Sequence, residues 1–232
     1  MLIAVEGIDG SGKTSLIKYL CQTGIKIGKR KFVRSVLKFP TRNGFYSLTP
    51  PHIREQIQSF LDKEKPVDDI TSATHFQFLH SFDKLSNSSI VMNMKTHCDD
   101  MCFLLDRYTL SGLAYGINDL INFGVDKSDA INIMLGMSEA ITPPDIHLVI
   151  DIDPELALKR IIERGKSLEL YENIEMLEKI NRNYLMFANI LKSDFNQKVL
   201  VVRYTESMEI YDLAGLVSTE LELFAEYEGM KI

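Results

Sequence analysis

Short, continuously apolar runs alternate along this chain with longer stretches in which apolar residues recur at helical spacing. The first pattern suits strands buried on both faces and the second suits amphipathic helices. Their alternation predicts parallel strands joined by helical crossovers. The expected strands are Leu2–Glu6, Phe32–Phe39 (halted by Pro40), Met101–Asp106, His147–Ile152 and Lys198–Tyr204. Lys13–Gln22 carries Leu16, Ile17, Leu20 and Cys21 on one helical face, with Gly24 as its stop. Further helices are expected over 52–62, 71–86, 127–141, 154–164, 173–192 and 207–226, and the polar tract 93–100 reads as a loop. No repeat, low-complexity tract or Gly/Ser linker divides the 232 residues. The reading is one α/β domain spanning 1–232, a five-stranded parallel sheet flanked by helices on both sides.

Composition narrows the partners. No apolar run approaches the roughly eighteen residues of a membrane span. The apolar start Met1–Val5 ends at Glu6, with Asp9 close behind, which argues against a secretory signal. A net charge of −6 gives no footprint for nucleic acid, so a polyanionic ligand would need local cations and backbone N–H groups. Cys21, Cys98 and Cys102 make an odd set without a pairing framework, which points to a reducing cytoplasm. His97 and Cys98 with Cys102 fit no ordinary structural zinc spacing.

The chemistry begins at Gly7-Ile8-Asp9-Gly10-Ser11-Gly12-Lys13-Thr14, which satisfies G-x-x-x-x-G-K-[ST] between an expected strand and an expected helix. That context makes it a P-loop NTPase signature. Glycines let successive N–H groups converge on phosphate, and the following helix, with Ser15 in its first turn, adds its positive end. Lys13 would reach the β and γ phosphates of ATP, and the Thr14 hydroxyl would ligate Mg²⁺. No Asn-Lys-x-Asp run supports a GTPase switch, and the chain is short for a motor ATPase. A small-molecule kinase is the better expectation.

A second set of residues gathers at strand ends, where open parallel sheets bind ligands. Leu37-Lys38-Phe39-Pro40-Thr41-Arg42 ends the second strand, and Leu104 to Tyr115, containing Asp106-Arg107-Tyr108 and Ser111-Gly112, follows the third. Together with the P-loop and Tyr171-Glu172-Asn173, these segments resemble thymidylate kinases over about residues 1–190. The resemblance implies transfer of the ATP γ-phosphoryl group to dTMP, and a homodimer for which the helix near 130–141 is a candidate. It gives Arg42 and Arg107 the acceptor phosphate, Asp106 the metal side and Asp9 the sugar 3′-hydroxyl. It gives Phe76 the role of stacking on the base, with Phe78 or Phe82 as other registers. Tyr115 would block a ribose 2′-hydroxyl, and Phe39 and Leu61 would complete the pocket. Four residues after the stacking aromatic, relatives carry an arginine that reads the base; this chain has His80 there.

The P-loop has Gly10 where some relatives have arginine, which resembles the group that supplies cations from a closing lid. The lid is expected at about 160–172, with Arg160, Arg164 and Lys166 facing the donor phosphates and Tyr171 at its far edge. Basic residues at a helix C-terminus also simply complement the macrodipole. The rival readings are a kinase acting on dUMP or dGMP, a non-catalytic nucleotide-binding module, and a deoxynucleoside kinase with Glu6 as base.

Overall fold

A computed structural model describes residues 1–25, 32–41, 47–97 and 101–227. Its β1 (Leu2–Glu6) is buried at every position, as a strand covered on both faces must be. Ile3 and Val5 enter the larger apolar cluster, while Leu2 and Ala4 enter a smaller one. β1 lies between β3 (Met101–Asp106) and β4 (Ile146–Ile152), with β2 (Phe32–Lys38) and β5 (Val199–Tyr204) outermost, in the order β2-β3-β1-β4-β5. All four pairings are parallel. The chain order reverses at β1, so the crevice beyond its carboxyl end is where a ligand belongs.

Helices α1 (Lys13–Thr23), α2 (Pro51–Leu61), α3 (Ile70–Ser86), α7 (Pro154–Glu163), α8 (Ile174–Ser193) and α9 (Ile210–Tyr227) follow the apolar periodicity to within a few residues. α6 (Lys127–Ser138) stops three residues before the expected end. Side-chain caps fix three starts that border the site. Asp69 and Ser72 form a reciprocal capping box on α3, Asp153 accepts from Glu155 N at 2.9 Å on α7, and Asn173 accepts from Met176 N at 3.1 Å on α8.

Two helices depart from the expected pattern. The tract from Asn93 to His97 is not loop but the end of α4 (Ser88–His97), which packs Val91 with Ile90 and Met94 onto the smaller cluster. Residues 98–100, including Cys98, lie outside the described set. α5 (Thr109–Asn122) runs straight through Gly112 and Gly116. Glycine weakens a helix, but a Cβ at Gly116 would sit 2.2 Å from Met134 Cε of α6, so its absence leaves room for that side chain between α5 and α6.

Candidate active site

The Gly-rich turn leaves β1 and enters α1 at Gly12, whose φ of 87° is left-handed. Gly10 has φ 77°, and a Cβ there would lie 2.3 Å from the Ala157 carbonyl oxygen of α7. Helix α7 therefore bars any side chain at this point of the loop. Tyr204 packs on Gly12, 3.2 Å from where a Cβ would be, and the Arg160 guanidinium lies 4.2 Å over the Tyr204 ring. Arg160 is thus held beside the loop by a cation–π contact.

Lys13 is buried and donates to Ile8 O at 2.6 Å and Ser11 Oγ at 3.2 Å. Burial, and then the nearby Arg107 guanidinium, lower its ammonium to about 7 against the opposing pull of Asp9 and Asp106. Thr14 Oγ1 donates to Asp106 Oδ2 at 2.6 Å. Burial raises the Asp106 carboxyl, but Lys38 and Lys13 outweigh it and hold it low. Asp106 Oδ1 is buried without a hydrogen-bond partner. Ser15 is exposed in the first turn of α1.

Arg107 follows β3 with φ 68°, and its backbone N–H donates to Val5 O at 2.9 Å. This conformation costs a non-glycine residue about 1–2 kcal/mol. It turns the guanidinium back over the loop, where Nη1 donates to Gly7 O at 3.0 Å and Nη2 pairs with Asp9 Oδ1 at 2.5 Å. Tyr115 donates to Asp9 Oδ2 at 2.9 Å. Burial pushes the Asp9 carboxyl up; Arg107, Lys13 and Tyr115 overcome that and hold it well below the carboxylate range. Asp9 is therefore an ionised, acceptor-only group. Ser111 borders the cleft, but its hydroxyl donates to Glu6 Oε2 and contacts Tyr184 OH at 2.6 Å.

Beyond Arg107 opens a cleft of about 400 Å³. Phe39 and Leu61 wall it, Gly112 and Tyr115 of α5 form another side, and α3 presents Gln77, His80 and Lys84. Phe76 is fully buried behind this face, its ring 4.8 Å from Phe60, 4.6 Å from His80 and 6.5 Å from Tyr171 between centroids. Gln77 Nε2 and Tyr171 OH both donate to Asp119 Oδ2, each at 2.6 Å. Burial raises Asp119 to about 6 despite these donors. The segment after α7 closes the far side. Gly165 adopts φ 66°, Arg164 Nη2 pairs with buried Glu172 Oε1 at 2.5 Å, and Lys166 is exposed at the rim.

A family model described as thymidylate kinase matches residues 5–211. The chain belongs to the thymidylate kinase family. A probable thymidylate kinase of Archaeoglobus fulgidus is 28% identical over 190 residues, covering 82% of this chain and 83% of the relative. One from Methanosarcina mazei is 30% identical over 191 residues, covering 81% of each. In fold, the chain resembles the thymidylate kinase of Candida albicans (TM-score 0.67, 22% identity, 98% of this chain and 92% of that one). It also resembles a deoxyadenosine kinase from M. mycoides (TM-score 0.60, 19% identity, 96% of this chain and 100% of that one).

In this thymidylate kinase family member, the residues of helix α3 that border the cleft are Gln77, His80 and Lys84. Phe76 is buried and Phe78 is 57% exposed, and neither borders the cleft. The aromatic that α3 presents to the cleft is His80, and the cation four residues later is Lys84. Lys84 Nζ donates to His80 O at 3.1 Å and would lie 3.3 Å from a Cβ at Gly112. Burial lowers Lys84 to about 8, opposed by Asp83 and Glu6. Lys38, Lys84, Gln77 and Asp119 were absent from the expected set. The spacing of Lys84 from His80 could have flagged it. Arg42 lies outside the described residues.

Proposed function

We propose that this thymidylate kinase family member transfers the γ-phosphoryl group of ATP to dTMP, giving dTDP, with the two nucleotides facing each other across Arg107. The observation that carries the reading is the double engagement of Arg107 with Gly7 O and Asp9 in the donor loop. A guanidinium held there reaches an acceptor phosphate in the cleft and the phosphoryl group being transferred.

The loop N–H groups and Lys13 receive the donor phosphates, with Arg160, Arg164 and Lys166 available from the lid. Thr14 Oγ1 and the unpartnered Asp106 Oδ1 offer hard oxygen donors of the kind Mg²⁺ takes alongside water and phosphate oxygens. When bound there, Mg²⁺ would neutralise charge on the phosphate oxygens. The acceptor phosphate oxygen is already anionic, so no strong base is needed, and alignment with charge neutralisation supplies the rate. Arg164 leaves Glu172 to act on the donor as the lid closes and water is excluded. Asp9 accepts from the sugar 3′-hydroxyl. The base lies between His80 and Phe39, with Lys84 donating to a ring carbonyl.

The deoxynucleoside kinase alternative needs Glu6 at a 5′-hydroxyl. Glu6 is fully buried and holds the Ser111 hydroxyl, so it does not border the cleft. Release of ADP from ATP on adding dTMP, dUMP, dGMP or thymidine separately tests the assignment. The expected order places dTMP first; turnover with thymidine and none with dTMP would overturn it.

A further inference from the structure

β2 pairs with β3 so that Lys38 stands in register with Asp106. Its ammonium lies 3.0 Å from Thr14 Oγ1 and 3.1 Å from Asp106 Oδ2. Thr14 donates its proton to that same Asp106 oxygen, so its lone pairs face Lys38. A positive charge therefore already occupies the hollow between the hydroxyl and the carboxylate. The side chain is 53% exposed and borders both the acceptor cleft and a second cavity of about 350 Å³ over Thr14 and Asp106. The four-carbon stem can carry the charge from one space to the other without disturbing β2.

We infer that Lys38 is a positioning residue that stands in for the divalent cation: it holds the Thr14 hydroxyl and Asp106 carboxylate while metal is absent and yields the place to metal arriving with the donor nucleotide. Lys13 and Arg107 also act on the buried Asp106 carboxylate, but Lys38 is the nearer counter-charge at 3.1 Å, and without it more of the carboxylate's repulsion would oppose an incoming polyphosphate. With Lys38 in place, the donor loop accepts nucleotide even before metal. With metal in place, Lys38 is redundant there and turns toward the acceptor cleft. The inference rests on the donor-site reading given above and not on the identity of the acceptor.

The test is ADP affinity by titration calorimetry in excess EDTA and in excess Mg²⁺, for the wild type, Lys38→Met and Lys38→Arg. The ratio of the two dissociation constants should rise in Lys38→Met by roughly two- to fivefold, the scale of an exposed ion pair. The rise should come from weaker metal-free binding, and Lys38→Arg should keep the wild-type ratio. A merely structural role would weaken both conditions together and leave the ratio unchanged, which would overturn the inference. Failure of the donor-site reading looks different, because ADP would then bind none of the three proteins.

Discussion

Arg107 and Asp9 form an ion pair across the site, Nη2 to Oδ1 at 2.5 Å, between the residue after β3 and the middle of the phosphate loop. The pair ties the acceptor side to the donor side before either nucleotide arrives. Burial works against the guanidinium, but Asp9 together with Tyr115, Tyr184 and Asp106 outweighs it and keeps Arg107 charged. Arg107→Ala should lower kcat on the order of a thousandfold, because charge on the transferred group loses its partner. Arg107→Gly should be equally inactive yet more stable than the alanine variant by about 1 kcal/mol, since glycine relieves the left-handed backbone. Thermal melts of the two variants check this. Equal stabilities would remove the strain argument, and near-normal turnover would remove the catalytic one.

Lys13 gives a proton-linked signature of donor binding. Its depressed value of about 7 belongs to a buried ammonium beside Arg107 with no phosphate to offset it. Bound phosphates restore the charge, so at pH 8 ADP binding should take up a proton, approaching one per site. At that pH the nucleotide phosphates are already ionised and contribute little. Calorimetry in buffers of different ionisation enthalpy measures the uptake. A buffer-independent heat of binding would contradict it.

Asp119 predicts an unusual stability profile. Its folded value is raised to about 6 from 3.8, so the native state holds a proton that the unfolded chain releases between those values. Stability from this group is complete below about pH 4 and is lost as pH rises through 6, by about 3 kcal/mol at roughly 1.4 kcal/mol per unit. Asp119→Asn can still accept from Gln77 and Tyr171 through one oxygen, and never ionises. Its melting temperature should therefore exceed the wild type's at pH 7 and match it near pH 4. Parallel curves for the two proteins would show that Asp119 is not the titrating group.

The contrast between these sites explains what was readable from residues alone. β1 and the loop after it announce themselves because a fully buried strand and a phosphate turn are local patterns. Asp106 and Arg107 stand at the end of β3, where parallel sheets bind ligands, but their expected roles rest on the resemblance to thymidylate kinases. The face of α3 does not announce itself, because Phe76, Phe78 and Phe82 spread aromatics around the helix and leave no unique apolar side. Packing of Phe76 on Phe60 fixes which side of α3 meets α2, and that contact joins elements rather than residues near in sequence. Lys38 is invisible for a related reason. Its meaning comes from lying in register with Asp106 across a strand pair. The Gly10 position was read as a choice between relatives; the Ala157 carbonyl makes it a steric requirement.

Base selection tests the proposed role of Lys84. If Lys84 donates to the O4 carbonyl of thymine, cytosine presents an amino group at the same place and is repelled. Lys84→Ala should raise the KM for dTMP by roughly 10- to 100-fold, the range for a hydrogen bond to a charged group. It should also collapse the preference for dTMP over dCMP, while the ratio of dTMP to dUMP changes little because the methyl group is not what Lys84 contacts. In the wild type, kcat/KM for dTMP should decline above pH 8, as the ammonium loses its proton at about that value. Gly112→Ala provides an independent arm, since its methyl would lie 3.3 Å from Lys84 Nζ and must push the ammonium aside by a few tenths of an ångström. That variant should keep the charge and shift selectivity in the same direction as Lys84→Ala, but less. An unchanged dTMP to dCMP ratio in Lys84→Ala would return the base-reading role to another residue of the cleft.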